Sequence, residues 1–194
     1  MIAIIKYNAG NITSVENAIN RLGYECVITD DAQQILAADK VIFPGVGEAS
    51  SAMKYLKERN LDKLISSLTQ PVLGICLGLQ LMCTHSEEND TACLGIFSTA
   101  VKKFPPLELV PHTGWNNSTK LKGELFAGVN AEDNFYYVHS YYAELSKDTT
   151  AECNYILPFS AAMQKNNFYA TQFHPEKSAI AGETILKNFL SCNI

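Results

Sequence analysis

The run most suited to chemistry in this 194-residue chain is Gly74-Ile75-Cys76-Leu77-Gly78, a thiol with a glycine two residues to either side. It follows the apolar run Pro71 to Ile75 and opens a helical stretch from Leu77 to Cys83. A G-x-nucleophile-x-G elbow between strand and helix is tight and strained. Its glycines keep side chains out of the way, and the nucleophile is thrust above the sheet edge. A helix N-terminus also favours thiolate over thiol. A buried structural cysteine between helix-packing glycines is the alternative. Of Cys26, Cys83, Cys93, Cys153 and Cys192, most read as small buried hydrophobes. None of the six cysteines forms a CxxC pair and no Cys/His cluster has zinc-finger spacing, so neither metal nor cofactor is expected.

The second constellation is Gln172-Phe173-His174-Pro175-Glu176-Lys177-Ser178. His174 and Glu176 are two apart at the end of an apolar strand, which places both on one face if the strand persists that far. Pro175 cannot donate to a ladder, so the segment is a strand end or an edge. A carboxylate beside an imidazole fixes its tautomer and stabilises the imidazolium formed when the ring takes a proton. With Cys76 far upstream, the order Cys, His, Glu completes the logic of a triad. A surface histidine beside a solvated glutamate accounts for the same spacing. His85 (in the polar stretch Thr84 to Asp90), His112 and His139 are rival bases.

A tetrahedral intermediate needs donors aimed at its oxyanion. The backbone N–H of Leu77, directly after the thiol, is one source. Pro44-Gly45-Val46-Gly47 ends a neighbouring strand and is a second, because its glycines let the backbone turn an N–H toward the sulfur. An ordinary strand-to-helix turn is the plainer reading of that loop.

The scaffold must bring these groups to one edge. Ile2 to Tyr7, Cys26 to Ile28, Val41 to Phe43 and Pro71 to Ile75 read as short buried strands. Between them, Val15, Ala18, Ile19 and Leu22, then Ala52, Leu56, Leu61, Leu64, Ile65 and Leu68, recur at helical spacing, and Gly23 sits where a helix ends. That alternation implies parallel strands with helices on both faces. Phe135 to Val138, Ala161 to Gln164 and Phe168 to Phe173 are aromatic and β-branched, the last two joined by a hairpin turn at Lys165-Asn166-Asn167. This half is antiparallel or mixed, and it closes with a helix striped by Ile185, Leu186, Phe189 and Leu190. The expectation is an α/β fold in a single domain over residues 1–194, with a central, mostly parallel, mixed sheet flanked by helices.

Together these segments resemble the class I (triad) glutamine amidotransferases, whose signature is the elbow extended through Leu79-Gln80 and the Phe173-His174-Pro175-Glu176 run. Four further stretches are similar to the glutaminase subunit of imidazole glycerol phosphate synthase. They are Gly10-Asn11-Ile12-x-Ser14-Val15, Pro44 to Gly47, Pro111-His112-x-Gly114-Trp115-Asn116 and Tyr137-Val138-His139-Ser140-Tyr141. The resemblance runs from about residue 2 to residue 190. It implies a flavodoxin-like fold and a reaction in which Cys76 attacks the side-chain amide of L-glutamine. His174 is then base and acid, Glu176 orients it, and a γ-glutamyl thioester is hydrolysed. It also implies that Gln80 and Glu88 help hold glutamine and that His139 and Ser140 lie near substrate and partner. Asn11, Trp115 and Lys177 fall near the subunit interface, although a helix cap, a packing residue and a solvated charge are their plainer readings. Ammonia would pass to a (β/α)8-barrel cyclase subunit in a heterodimer serving histidine biosynthesis. Asn8-Ala9 and Ala170-Thr171 depart from the family pattern, in local turn shape and in packing beside the base. Since ammonia made without an acceptor is wasted, the two-glycine loop predicts a nearly inactive free subunit, whose Pro44–Gly47 donor turns inward only when partner and acceptor bind.

Bulk properties agree. Apolar residues make up 47% and charged residues 18%, and the formal net charge of −5 with no basic run disfavours nucleic-acid binding. The N-terminal residues lack the features of a secretory signal, and no apolar run approaches the roughly 20 residues that span a bilayer. A cytoplasmic protein without membrane contact is expected. Competing readings are a glutaminase for another acceptor enzyme, as in pyridoxal phosphate synthase or surface-sugar amidination, a thiol protease or Cys-type α/β-hydrolase, and a redox-sensing module.

Overall fold

In the computed structural model of the chain, which describes residues 1–192, the first strand already accounts for the layering. β1 (Ile2–Ile5) is buried along its length. Ile2 and Ile4 pack in one apolar cluster with Val15, Ala18 and Ile19, while Ala3 and Ile5 pack in the other with Ile35, Leu56 and Ile65. A strand covered on both faces shows a continuous apolar run rather than alternation.

The chain continues through α1 (Ile12–Arg21), β2 (Cys26–Thr29), α2 (Ala32–Ala37), β3 (Lys40–Phe43), α3 (Ala49–Glu58), α4 (Leu61–Ser67), β4 (Val72–Ile75) and α5 (Leu77–Met82). There follow β5 (His85–Ser86), β6 (Thr91–Ala92), β7 (Ala100–Lys103), β8 (His112–Asn117), β9 (Asn134–His139) and β10 (Tyr141–Ala143). Last come β11 (Thr149–Tyr155), β12 (Leu157–Lys165), β13 (Phe168–Thr171) and α6 (Ala179–Ser191).

Seven strands form the central sheet in the order β11-β12-β13-β4-β3-β1-β2. β2, β1, β3, β4 and β13 are parallel neighbours, whereas β11 and β12 run antiparallel. The parallel part has the flavodoxin-like order, in which ligands bind beyond the carboxyl ends of the strands. Those ends lead into Tyr7, Pro44 to Gly47, Cys76 and Gln172 to Glu176. α1 and α6 cover one face and α2 to α5 the other.

Two small additions stand beside the expected sheet: a four-stranded sheet, β10-β7-β5-β6, and a ribbon of β8 paired with β9. The Phe135–Val138 run belongs to that ribbon rather than to the central sheet. α2 buries only Ile35, so it carries no periodic stripe from which to be read. No helix among the described residues is long and apolar enough to cross a membrane.

Candidate active site

Cys76 stands at the turn from β4 into α5 with φ 52 and ψ −102, a conformation non-glycine residues rarely adopt. The helix packs so closely on the neighbouring strand that a Cβ at Gly78 would lie 1.9 Å from the Phe43 carbonyl oxygen. Glycine is therefore required there by contact with backbone that cannot move aside. The Cys76 N–H is tied to the Thr171 carbonyl at 2.7 Å, which locks the elbow to the end of β13.

His174 lies just beyond that same strand. β13 ends at Thr171, so His174 and Glu176 are not joined by strand periodicity. A 3-10 turn, Pro175–Lys177, folds the carboxylate back onto the ring instead, with Pro175 at its start where no N–H is needed. Glu176 Oε1 accepts from His174 Nδ1 at 2.8 Å, and both side chains are fully buried. The His174 main chain is held by its N–H to the Tyr136 carbonyl and by Ser178 Oγ donating to its carbonyl. The ring's Nε2 has no hydrogen-bond partner among the described residues. Burial lowers the ring's proton affinity, but the neighbouring Cys76 sulfur and the Glu176 carboxylate raise it further, to about 10. The ring is thus disposed to hold its proton between the sulfur and the carboxylate.

A cleft of about 270 Å³ opens over the sulfur. Cys76, Leu77, Gln80, Glu88, Val46, Gly47, His139 and Ser140 all line it, so eight of the expected residues meet in one place. Glu88 Oε2 accepts from the Ala49 N–H at the start of α3, and its burial raises its pKa while that N–H opposes the rise. Gln80 Nε2 donates to the Tyr141 carbonyl (3.0 Å) and to Gln172 Oε1 (3.1 Å).

Gly45 lies behind the cleft. A Cβ there would come 2.1 Å from the Tyr7 hydroxyl, which itself donates to the Pro44 carbonyl at 2.5 Å. Three consecutive loop carbonyls are thus held by outside donors: Pro44 by Tyr7, Gly45 by the Leu77 N–H at 3.2 Å, and Val46 by the Gly10 N–H at 2.9 Å. The Leu77 N–H expected to face an oxyanion is engaged with the loop in this arrangement.

The rival histidines have other partners. His85 pairs with Asp90 at 2.8 Å at the surface. His139 Nδ1 lies 2.7 Å from the Tyr141 carbonyl, an acceptor only, so Nδ1 carries the proton. Its Nε2 therefore accepts from His112 Nδ1 at 3.0 Å. Burial lowers His139 to about 3 and His112 to about 4, in keeping with two neutral rings.

Asn11 makes no side-chain cap for α1. Its amide instead donates to Glu176 Oε1 and lies 3.4 Å from His174 Nδ1. Trp115 is 55% exposed on β8 and meets Tyr136 edge-on, with ring centroids 6.0 Å apart. Lys177 Nζ sits 5.9 Å from the same tyrosine ring. Sequence reasoning missed Tyr136, which unites Trp115 with Lys177, and the roles of Tyr7 and Gln172. Tyr7 and Gln172 are hinted at only by their places just past strand ends, and Tyr136 lies within β9 with no such signal.

A family model, glutamine amidotransferase class-I, matches residues 3–192. The chain is 60% identical over 192 residues to the imidazole glycerol phosphate synthase subunit HisH of Bacteroides fragilis strain YCH46, covering 97% of this chain and 98% of that one. It is 47% identical to the protein of that name from Escherichia coli K12, with the same coverage. Among solved structures, a GMP synthase component from Thermoplasma acidophilum superposes with a TM-score of 0.75 at 22% identity, covering 98% of this chain and 92% of that one. PurLQS from Thermotoga maritima gives 0.69 at 12% identity, over 97% and 96%. Those two likenesses concern the fold. Carried by the family match over nearly its whole length, this chain belongs to the class I glutamine amidotransferases.

Proposed function

We propose that the chain is the glutaminase subunit of an imidazole glycerol phosphate synthase, releasing ammonia from L-glutamine for a separate cyclase subunit in the cytoplasm. The observation that carries the chemistry is the strained Cys76 elbow beneath a polar cleft, beside a fully buried His174–Glu176 pair. The relatives bearing this synthase's name, at up to 60% identity, support the choice of acceptor enzyme over pyridoxal phosphate synthase or sugar amidination.

The Cys76 thiolate attacks the side-chain carbonyl carbon of glutamine, forming a C–S bond and an oxyanion. Collapse of that intermediate breaks the C–N bond, and His174 gives its proton to the leaving nitrogen, so ammonia departs and a γ-glutamyl thioester remains. Water then attacks as His174 takes its proton. The C–S bond breaks, glutamate leaves, and the thiolate–imidazolium pair is restored. Glu176 holds the ring in the required tautomer, while Gln80, Glu88, His139 and Ser140 form the glutamine site. Leu77 and the Gly45–Val46–Gly47 backbone supply oxyanion donors after the loop turns.

Turning the loop requires breaking the Leu77–Gly45 or Gly10–Val46 bond, which supports a resting state of low activity relieved by the partner. On this reading Asn11, Trp115, Tyr136 and Lys177 meet a (β/α)8-barrel cyclase. There ammonia combines with a phosphorylated ribulosyl-carboxamide to give imidazole glycerol phosphate and an aminoimidazole carboxamide ribotide. The test is glutamate release by the purified chain, alone and with the cyclase and an acceptor analogue. Turnover is expected only in the complete mixture and not with Cys76→Ala. Equal turnover in both conditions refutes the regulated synthase reading.

A further inference from the structure

We infer that Gln172 is a positioning residue for the nucleophile: its side-chain amide donates an N–H to the Cys76 sulfur and holds the thiolate for attack. This rests on the reading of Cys76 as the thiol that attacks glutamine. Gln172 is fully buried, and its Nε2 lies 3.6 Å from Cys76 Sγ. Among the described residues, the sulfur also lies beside the His174 ring and 4.0 Å from the Val138 carbonyl, an acceptor only. The thiol hydrogen can point toward Val138. The thiolate has no use for a carbonyl and draws on the amide N–H beside the imidazolium.

The amide's orientation is dictated by its neighbours. The Tyr141 carbonyl accepts from His139 Nδ1 and, being unable to donate, requires Gln80 to present its NH2 group. The second N–H of that group points at Gln172, which must answer with Oε1 and so turns its own NH2 toward the sulfur. The backbone is equally fixed, with the Gln172 N–H on the Ala161 carbonyl and the Cys76 N–H on the Thr171 carbonyl. A continuous set of hydrogen bonds therefore runs from the cleft-lining His139–Tyr141 segment through Gln80 and Gln172 to the reacting atom. Because Gln80 also lines the glutamine cleft, substrate contacts at Gln80 bear on the donor held against the sulfur.

The experiment measures the rate of Cys76 alkylation by iodoacetamide from pH 5 to pH 10 in the full chain, read by peptide mass. Wild type is compared with Gln172→Met, which keeps the volume and loses the donor, and with Gln172→Glu. The latter keeps an acceptor for Gln80 but places a carboxylate against the sulfur. A charge-assisted hydrogen bond of this kind predicts alkylation about tenfold slower at pH 7 in Gln172→Met. Gln172→Glu should be slower still, with both rates converging on wild type at the alkaline end. In the complex with the cyclase, the acid limb of kcat/KM should move to higher pH by about the same factor. A merely structural side chain would lower the amount of folded protein without moving the profile. Superimposable alkylation profiles in all three proteins overturn the inference. Glutamate release that survives Cys76→Ala overturns instead the reading on which it rests.

Discussion

Replacing Glu176 by glutamine tests how the ring of His174 acquires its charge. The carboxylate lies 2.8 Å from Nδ1 with both groups buried, so its charge acts through protein rather than water. Two opposite charges about 4 Å apart at an effective dielectric of about 20 attract by roughly 4 kcal/mol. Allowing for relaxation, loss of half to all of that corresponds to about 1.5 to 3 pKa units at 1.36 kcal/mol each. The wild-type ring, raised to about 10 by Cys76 and Glu176 against burial, should thus titrate between about 7 and 8.5 in Glu176→Gln. The substitution keeps shape and an acceptor for Nδ1, so the ring stays in place and only its charge changes. The assay is proton NMR of the imidazole ring against pH, with the resonance assigned by its loss in His174→Asn. At pH 8 the variant's ring should be only partly protonated, and kcat/KM for glutamine should fall by up to about tenfold. A ring that titrates at the same pH in both proteins refutes the reasoning, because Glu176 would then not govern its protonation.

Tyr7→Phe removes the hydroxyl that holds the Pro44 carbonyl. With a buried hydrogen bond worth about 1 kcal/mol, the chain without partner should release glutamate about fivefold faster, and an unchanged basal rate argues against the clamp. Stability should depend on pH in two windows. His112 and His139 are depressed to about 4 and about 3, so their contribution is present above about 6.5 and is lost as pH falls toward those values. His174 is raised, so its contribution is full below about 6.5 and fades as pH climbs to about 10. Urea midpoints across pH 4 to 10 check both, and a flat acid limb contradicts the neutral histidine pair. Trp115→Ala should weaken association with the cyclase at least tenfold by calorimetric titration, as expected of an exposed aromatic anchor, while leaving the melting temperature within a few degrees.

Much of the site was legible because its determinants are local. The Gly74–Gly78 elbow is written in five consecutive residues, since the turn's geometry and the approach to Phe43 both demand glycine there. His174-Pro175-Glu176 is legible for the same reason, although the device is a 3-10 turn and not a strand face. The His112–His139 pair, the Tyr7 hydroxyl on Pro44 and the Gln80–Gln172–Cys76 set join residues far apart in the chain. Nothing in local periodicity marks such contacts, because register and the crossing of separate elements create them. The small sheets escaped for a related reason: β5 and β6 have two residues each, too few to establish any alternation.

The most direct measurement is mass analysis of peptides after rapid acid quench of the cyclase complex turning over L-glutamine. A γ-glutamyl group should appear on the peptide bearing Cys76 and disappear as glutamine is exhausted. Steady glutamate production with that peptide unmodified at every time point, or with the adduct on another cysteine, contradicts the assignment of Cys76 as the attacking thiol.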